Sequence, residues 1–165
     1  MKLRIATLTD LDAITTLEHV CFPPNEAASR ESFINRLQAF PGHFWVLESE
    51  GRLVGFINGM VTDNETIRDE MFAHANLHNE EGKWQSVFGI AVSPEYRRNG
   101  YAGQLIRHLI EKAREEERAG VTLTCKEYLV PYYEKFGFRD LGISNSVHGG
   151  EVWHDMMIQF GEHLR

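Results

Sequence analysis

The spacing of apolar residues along the chain alternates between two periods, and each change of period marks the boundary of a predicted element. The clearest helix carries apolar residues at every third or fourth position. We expect Thr9 or Asp10 to cap this helix and Pro23-Pro24 to end it, since proline cannot continue a helix. Its predicted core-facing residues are Leu11, Ile14, Leu17 and Val20.

The rest of the chain divides in the same way. Ser29 is typical of a helix cap, and the Glu50-Gly51-Arg52 turn is typical of a hairpin. The predicted strands are 3–7, 43–48, 53–61, 84–92, 121–125, 138–143 and 152–160. The predicted helices are 9–22, 29–40, 104–118 and 130–135, with weaker helical character at 65–71. This order indicates an α+β fold of α/β/α layers, in which a mixed sheet has helices on both faces.

Length and charge limit the class of protein. A chain of 165 residues fits one domain, 1–165, with a proper core, and no apolar run is long enough to span a membrane. The N-terminus lacks the apolar stretch of a signal peptide, so we expect a cytoplasmic location. The formal charge of −7 argues against binding to nucleic acid and is compatible with a cationic amine substrate.

The potential metal ligands and thiols give weak signals. Cys21 and Cys125 lack Cys-x-x-Cys spacing and are expected to be free thiols. His74 and His78 lie four residues apart near two glutamates, but the segment has no clear helical period. We therefore predict no metal site.

Residues 87–103 carry the strongest functional signal. A buried strand ends at Ser93-Pro94, and a polar turn with Arg97, Arg98 and Gly100 leads into a helix. Free amides at a helix N-terminus bind anions, because the orphan N–H groups and the helix dipole both face the ligand. We expect Gly100 and Gly103 to let the backbone approach a phosphate closely.

The type of phosphate loop follows from the residues present. Neither a Gly-Lys-Ser/Thr Walker sequence nor a G-x-G-x-x-G fingerprint occurs at this turn. Instead, Arg97-Arg98-Asn99-Gly100-Tyr101-Ala102 resembles the R/Q-x-x-G-x-G/A acetyl-CoA loop of the GCN5-related N-acetyltransferase (GNAT) superfamily. Downstream, Tyr133-Glu134-Lys135-Phe136-Gly137-Phe138 resembles the Y-E-K-x-G-F signature of the same superfamily. Together with Cys21-Phe22-Pro23-Pro24, this segment looks most like the arylalkylamine (serotonin-type) N-acetyltransferases.

The resemblance implies a mostly antiparallel GNAT-type sheet, acetyl-CoA as cosubstrate and a primary amine as acceptor. It implies that Tyr133 lies beside the thioester sulfur and that the pantetheine arm pairs with the central strand. The implied cofactor-binding residues are Ile90, Ala91, Val92, Arg97, Arg98, Asn99, Gly100, Tyr101 and Ala102. Tyr132 is expected to point away and pack.

The general base is less well defined. The serotonin-type enzymes carry two histidines where this chain has Ser86 and Phe88. The loop after the first helix lines the acceptor cleft in this family, so the resemblance implies Glu26 as the candidate base. A solvated loop glutamate and direct loss of the proton to a water chain are the alternatives. Lys126 replaces a common asparagine and is expected either to meet a CoA phosphate or to be solvated. An aromatic wall for the acceptor is expected from among Phe22, Phe33, Phe44, Trp45 and Phe56, although packing in the core is the commoner use of such residues.

The leading hypothesis is N-acetylation of a small amine in a ternary complex. The alternatives are a catalytically impaired CoA-binding module, acetylation of a protein N-terminus, and a thiol enzyme using Cys125 with His148 or His154. The identity of the acceptor is not encoded in any motif, and a homodimer is left open.

Overall fold

A computed structural model describes residues 1–161. The last four residues of the predicted 1–165 domain lie outside this range. The strands are β1 (Lys2–Ile5), β2 (Phe44–Ser49), β3 (Arg52–Asn58), β4 (Val61–Thr62), β5 (Trp84–Val87), β6 (Gly89–Val92), β7 (Gly120–Cys125), β8 (Arg139–Ile143) and β9 (His154–Gln159). The helices are α1 (Leu11–Cys21), α2 (Arg30–Ala39), α3 (Asp69–Ala73), α4 (Tyr101–Glu115) and α5 (Val130–Glu134).

The first sheet lies between two helical layers. Its strands run in the order β1-β2-β3-β6, and every neighbouring pair is antiparallel. One face packs on α1 and α2 through a buried cluster that includes Ile14, Phe33 and Phe56. The other face packs on α4 through Leu105 and Leu109. Both faces are therefore covered by amphipathic helices, as the apolar pattern predicted.

The second sheet runs in the order β4-β5-β7-β9-β8. Strands β5 and β7 are parallel, with α4 as the crossover between the two sheets, and the other neighbours are antiparallel. The mixed, mostly antiparallel α+β fold with helices on both faces is confirmed.

The predicted single strand over 84–92 is wrong in one respect. The strand is interrupted at Phe88, so that β5 joins the second sheet and β6 joins the first. The Phe88 amide bonds out of register to the Asn58 carbonyl at 2.7 Å, and this shift ends the pairing of β6 with β3. The mostly apolar run 84–92 conceals such an interruption, because none of its residues is exposed.

Other boundaries differ by smaller amounts. Val20 is 58% exposed, since it lies on the outer side of the last turn of α1 rather than in the core. Helix α4 begins three residues earlier than predicted, and the weak helix at 65–71 is instead Asp69–Ala73. Ser29 caps α2, as predicted, by accepting the Ser32 amide at 3.1 Å. Within residues 1–161, no helix has the length and apolar character needed to cross a membrane.

Gly59 should be indispensable where the two sheets join. A Cβ at this position would lie 1.9 Å from the Ser86 carbonyl oxygen, which belongs to the backbone and cannot move aside cheaply. We expect Gly59→Ala to lower the free energy of unfolding by about 2–3 kcal/mol in urea denaturation. Gly42→Ala is the control, because nothing lies within 4 Å of its Cβ position. Equal stability of the two variants would contradict the close approach.

Candidate active site

A cavity of about 740 Å³ opens where the two sheets part. Its walls come from the β5–β6 junction, the end of β7, the loop between α1 and α2, and the segment that joins β8 to β9. The residues that line it include Ile90, Cys125, Glu26, Tyr133 and His148. The cavity therefore collects residues that lie more than one hundred positions apart in the chain.

At this opening, one edge of strand β6 has no partner strand among the described residues. The Ser93 amide donates to the Val54 carbonyl at 2.8 Å, and Ala91 pairs with Phe56. Because backbone groups alternate in direction along an antiparallel pair, those of Ile90 and Val92 point away from β3. Of the three residues predicted to meet the pantetheine arm, Ile90 and Val92 direct main-chain groups to this edge, where the Val92 carbonyl already accepts from Arg97 Nε at 3.2 Å. The main chain of Ala91 is directed to β3.

The loop after β6 exposes its backbone. Arg97, Arg98, Asn99 and Gly100 are all exposed, and Arg98 and Gly100 have left-handed φ angles of 67° and 78°. The Asn99 side chain holds the turn by donating to the carbonyls of Tyr96 and Arg97 at 3.0 and 3.2 Å. Helix α4 then begins at Tyr101, so the amides of Tyr101, Ala102 and the residues around them lack partners within the helix.

Arg97 has a second contact that the sequence did not indicate. Its Nε donates to the Val92 carbonyl at 3.2 Å, and its guanidinium lies 3.4 Å from the Cys21 sulfur. The side chain therefore ties the loop to the end of β6 and to the end of α1.

Gly103 has a different role from the predicted one. A Cβ at this position would lie 3.2 Å from the Phe136 ring, so the absence of a side chain lets α4 pack against the segment that follows α5. Of these two glycines, it is Gly100 that has the positive φ and the open surroundings that suit approach by a ligand.

Tyr133 projects from α5 into the cavity beside Cys125. Burial raises the pKa of its phenol well above the usual value of 10. The hydroxyl is therefore protonated at neutral pH and can act as a donor. Tyr132 does not line the cavity and packs against Phe136, with ring centroids 5.3 Å apart.

Glu26 lies in the cavity wall, in an ion pair. Its Oε2 is 3.0 Å from Lys126 Nζ, and its backbone carbonyl accepts a hydrogen bond from His148 Nε2 at 3.0 Å. Lys126 therefore faces Glu26, with Glu151 at 3.9 Å and the Trp153 ring at 5.2 Å. The contact with Glu26 replaces the two expected environments of Lys126, a CoA phosphate or open solvent.

Two charged residues in the same cavity were not predicted from the sequence. Glu18 is 7% exposed and accepts the Ala28 amide at 2.8 Å, and burial raises the pKa of its carboxyl. Arg36 is 6% exposed, and burial lowers the pKa of its guanidinium to about 10. Both lie on amphipathic helices, where a charged residue is ordinarily taken as solvent-facing. Only their positions on the apolar faces of α1 and α2 could have singled them out.

The aromatic wall is largely different from the expected one. Phe22 lines the cavity, whereas Phe33, Phe44 and Phe56 are fully buried in the core between the first sheet and α1–α2. Trp45 packs edge-on against His108, with ring centroids 4.2 Å apart. The other aromatic residues of the wall are Phe72, Phe88, Tyr128 and Trp153.

The geometry opposes the hypothesis of a thiol enzyme. Burial raises the pKa of Cys125 to about 11, whereas nucleophilic cysteines have a lowered pKa. The sulfur lies against Met156 Sδ at 3.5 Å, and His154 is held by Asp140 at 3.0 Å.

His78 pairs with His43 and Glu80 rather than with His74. Its Nδ1 accepts the Val61 amide at 3.0 Å, so its Nε2 carries the proton and donates to Glu80 at 2.8 Å. Arg118 holds the other Glu80 oxygen at 3.0 Å. Both ring nitrogens of His78 are thus hydrogen-bonded, and the Glu80 carboxylate is shared by His43, His78 and Arg118.

A split sheet, a free strand edge and an amide-rich loop before α4 together define the GNAT type of fold. The family model described as acetyltransferase (GNAT) family matches residues 11–138, and the chain belongs to this family.

One relative by sequence and one solved structure are similar to this chain. Serotonin N-acetyltransferase of Mesocricetus auratus is 32% identical in an alignment of 145 positions that covers 76% of this chain and 69% of that protein. The resemblance to GNAT proteins, and to their serotonin-type members, is thus confirmed. A solved GphF GNAT-like decarboxylase in complex with isobutyryl-CoA shares the fold, with a TM-score of 0.80 and 22% identity over 96% of this chain and 99% of that one.

A third protein also shares the fold. The ribosomal-protein-S18-alanine N-acetyltransferase of Escherichia coli has a TM-score of 0.74 and 20% identity, covering 99% of this chain and 98% of that one.

Proposed function

We propose that this protein transfers the acetyl group of acetyl-CoA to a primary amine of a small molecule, by direct attack in a ternary complex. The observation that carries the proposal is the meeting of the free β6 edge and Tyr133 at one cavity, next to the amide-rich loop. Family membership supports acetyl-CoA as the cosubstrate. A CoA-release assay with a panel of amines tests the proposal, and no release with any amine would refute it.

Acetyl-CoA is proposed to bind along the split. The amides from Arg97 to Ala102 would hold the pyrophosphate, and the pantetheine arm would pair as an extra strand with Ile90 and Val92. In this arrangement the thioester reaches the cavity beside Tyr133. The protein thus supplies hydrogen bonds to the cofactor mainly through its backbone.

The proposed reaction requires two proton transfers, one from the amine and one to the departing sulfur. The neutral amine attacks the thioester carbonyl, and an amide of the β6 edge, that of Ile90, would stabilise the oxyanion. As the C–S bond breaks, Tyr133 would donate its proton to the sulfur and CoA would leave as the thiol. The amine's proton goes to a base, and we propose Glu26, whose Oε2 is held by Lys126.

Gly100→Asp should abolish acetyl-CoA binding, because it places a negative charge and a side chain at the pyrophosphate. Gly51→Asp is a matched control: Gly51 has nearly the same φ, 79° against 78°, and equally open surroundings. Both variants carry the same backbone strain and the same added charge. Isothermal calorimetry should show loss of binding for Gly100→Asp alone. Equal affinity of the two variants would refute the assignment of the loop.

Tyr133→Phe should lower kcat by about tenfold to a hundredfold and leave the Kd of acetyl-CoA nearly unchanged. The phenol acts only as the thiolate departs, so its loss affects the transition state rather than the bound ground state. Tyr132→Phe is the control, since that ring packs outside the cavity. If the two variants have equal kcat at saturating substrate, Tyr133 is a packing residue.

The pH profile of kcat/KM tests the base. With Glu26 as base, Glu26→Gln should lower kcat/KM about tenfold or more at neutral pH. The acid limb of the kcat/KM profile of Glu26→Gln should then follow the pKa of each amine in a substrate series. Glu18→Gln is the comparison, because it removes a second carboxylate from the same cavity. If only Glu18→Gln produces these changes, the role belongs to Glu18; if neither does, the proton leaves through water.

A further inference from the structure

Arg36 is a buried cation whose hydrogen bonds are incomplete. Its guanidinium lies among the rings of Phe33 and Phe88, with its Cζ 5.4 and 4.9 Å from their centroids. One nitrogen donates to Asn58 Oδ1 at 3.1 Å, whereas the buried Nε has no partner among the described residues. A guanidinium carries five N–H donors, so most of its capacity is unused within the described chain.

A second unused donor lies beside the first. Asn58 is 1% exposed, and its Nδ2 also lacks a partner among residues 1–161. Since the side-chain oxygen Oδ1 of Asn58 accepts from Arg36, the side-chain nitrogen Nδ2 lies near the guanidinium. Two neighbouring buried groups therefore offer donors without acceptors. Buried polar groups in native proteins are nearly always paired, and of these two residues Arg36 lines the cavity, so its guanidinium is the group that a ligand there would meet.

Glu18 does not supply the missing hydrogen-bond acceptor for Arg36. The charge of Glu18 opposes the lowering of the Arg36 pKa, but the Glu18 carboxylate accepts the Ala28 amide, and no carboxylate among the described residues lies within ion-pair distance of Arg36. Yet both residues line the cavity, together with Asp69 and Glu26. The cavity thus presents a guanidinium with free donors in the same space as several carboxylates. That distribution of charge fits a ligand with one anionic and one cationic end.

We propose that the acceptor is an amino acid, a primary amine that also carries a carboxylate, and that Arg36 binds this carboxylate. The inference rests on the proposed N-acetyltransferase function and adds the class of acceptor to it. Arg36 would bind the carboxylate with charge-assisted hydrogen bonds, which are stronger than neutral ones. The aromatic residues Phe72 and Phe88 of the wall then favour an apolar or aromatic side chain.

Matched pairs of acceptors test this inference. Phenylalanine and phenethylamine, or tryptophan and tryptamine, share the amine and the ring and differ in the carboxylate. The methyl ester keeps the bulk of the carboxylate without its charge. We expect kcat/KM for the acid to exceed that of the decarboxylated amine and of the ester by about tenfold or more. Equal or better use of the decarboxylated amine would overturn the proposal.

A variant links the preference to the residue. Arg36→Met should reduce the acid-to-amine ratio of kcat/KM by about tenfold or more, because it removes the charged donors and keeps an apolar stem. Arg30→Met on the same helix should leave the ratio unchanged, since Arg30 is exposed and pairs with Asp12. A reduction of both substrates by the same factor would make Arg36 a structural residue and would overturn the proposal.

Two further measurements keep the test decisive. If Arg36→Met does not fold, Arg36→Lys keeps the charge and loses the planar array of donors, and the ratio should still fall. Acetyl transfer to amines without any preference for the acid refutes the carboxylate site alone. Absence of transfer to every amine, while acetyl-CoA still binds, refutes the proposed function itself.

Discussion

The break at Phe88 governs the whole arrangement, because one strand run contributes to two sheets. Before the break, β5 pairs with β7 and continues the second sheet. After it, β6 pairs with β3 and turns away from β7. The backbone of Ile90 consequently faces a cleft instead of a neighbouring strand. Unpaired main-chain groups are costly when buried, so a fold that keeps them open at a cleft suits an extended ligand.

The cavity beside this edge combines charged and aromatic residues in an unusual way for a protein interior. Glu26 is compensated by Lys126, and Glu18 by a backbone amide. Arg36 has one side-chain hydrogen bond, to Asn58, together with two aromatic rings and the more distant charge of Glu18. Desolvation of a charge is tolerated only where partners replace water, and this incomplete set of hydrogen bonds is the basis for the carboxylate site proposed at Arg36.

The sequence predicted most of the elements and the residues of the loop, because these depend on local periodicity and on a short motif. It placed the cap at Ser29 and the polar turn before α4 correctly, whereas anion binding by that turn stays a prediction. It did not predict the break at Phe88, since every residue from 84 to 92 is compatible with a single buried strand. It also missed Glu18 and Arg36, because their burial depends on how α1 and α2 meet the sheet. The roles of Tyr133 and Glu26 stay predictions, although both side chains lie in the same cavity.

The contact between Gly103 and Phe136 has a consequence for how such an enzyme can diversify. It packs the helix that begins at the loop against the segment that follows α5, so the loop proposed to hold the cofactor and the short helix that carries Tyr133 are joined through one contact. The cavity walls from the α1–α2 loop, α3 and the segment before β9 take no part in that contact. Under the proposed function, substitutions in those walls would change the choice of amine and leave the packing around Gly103 intact.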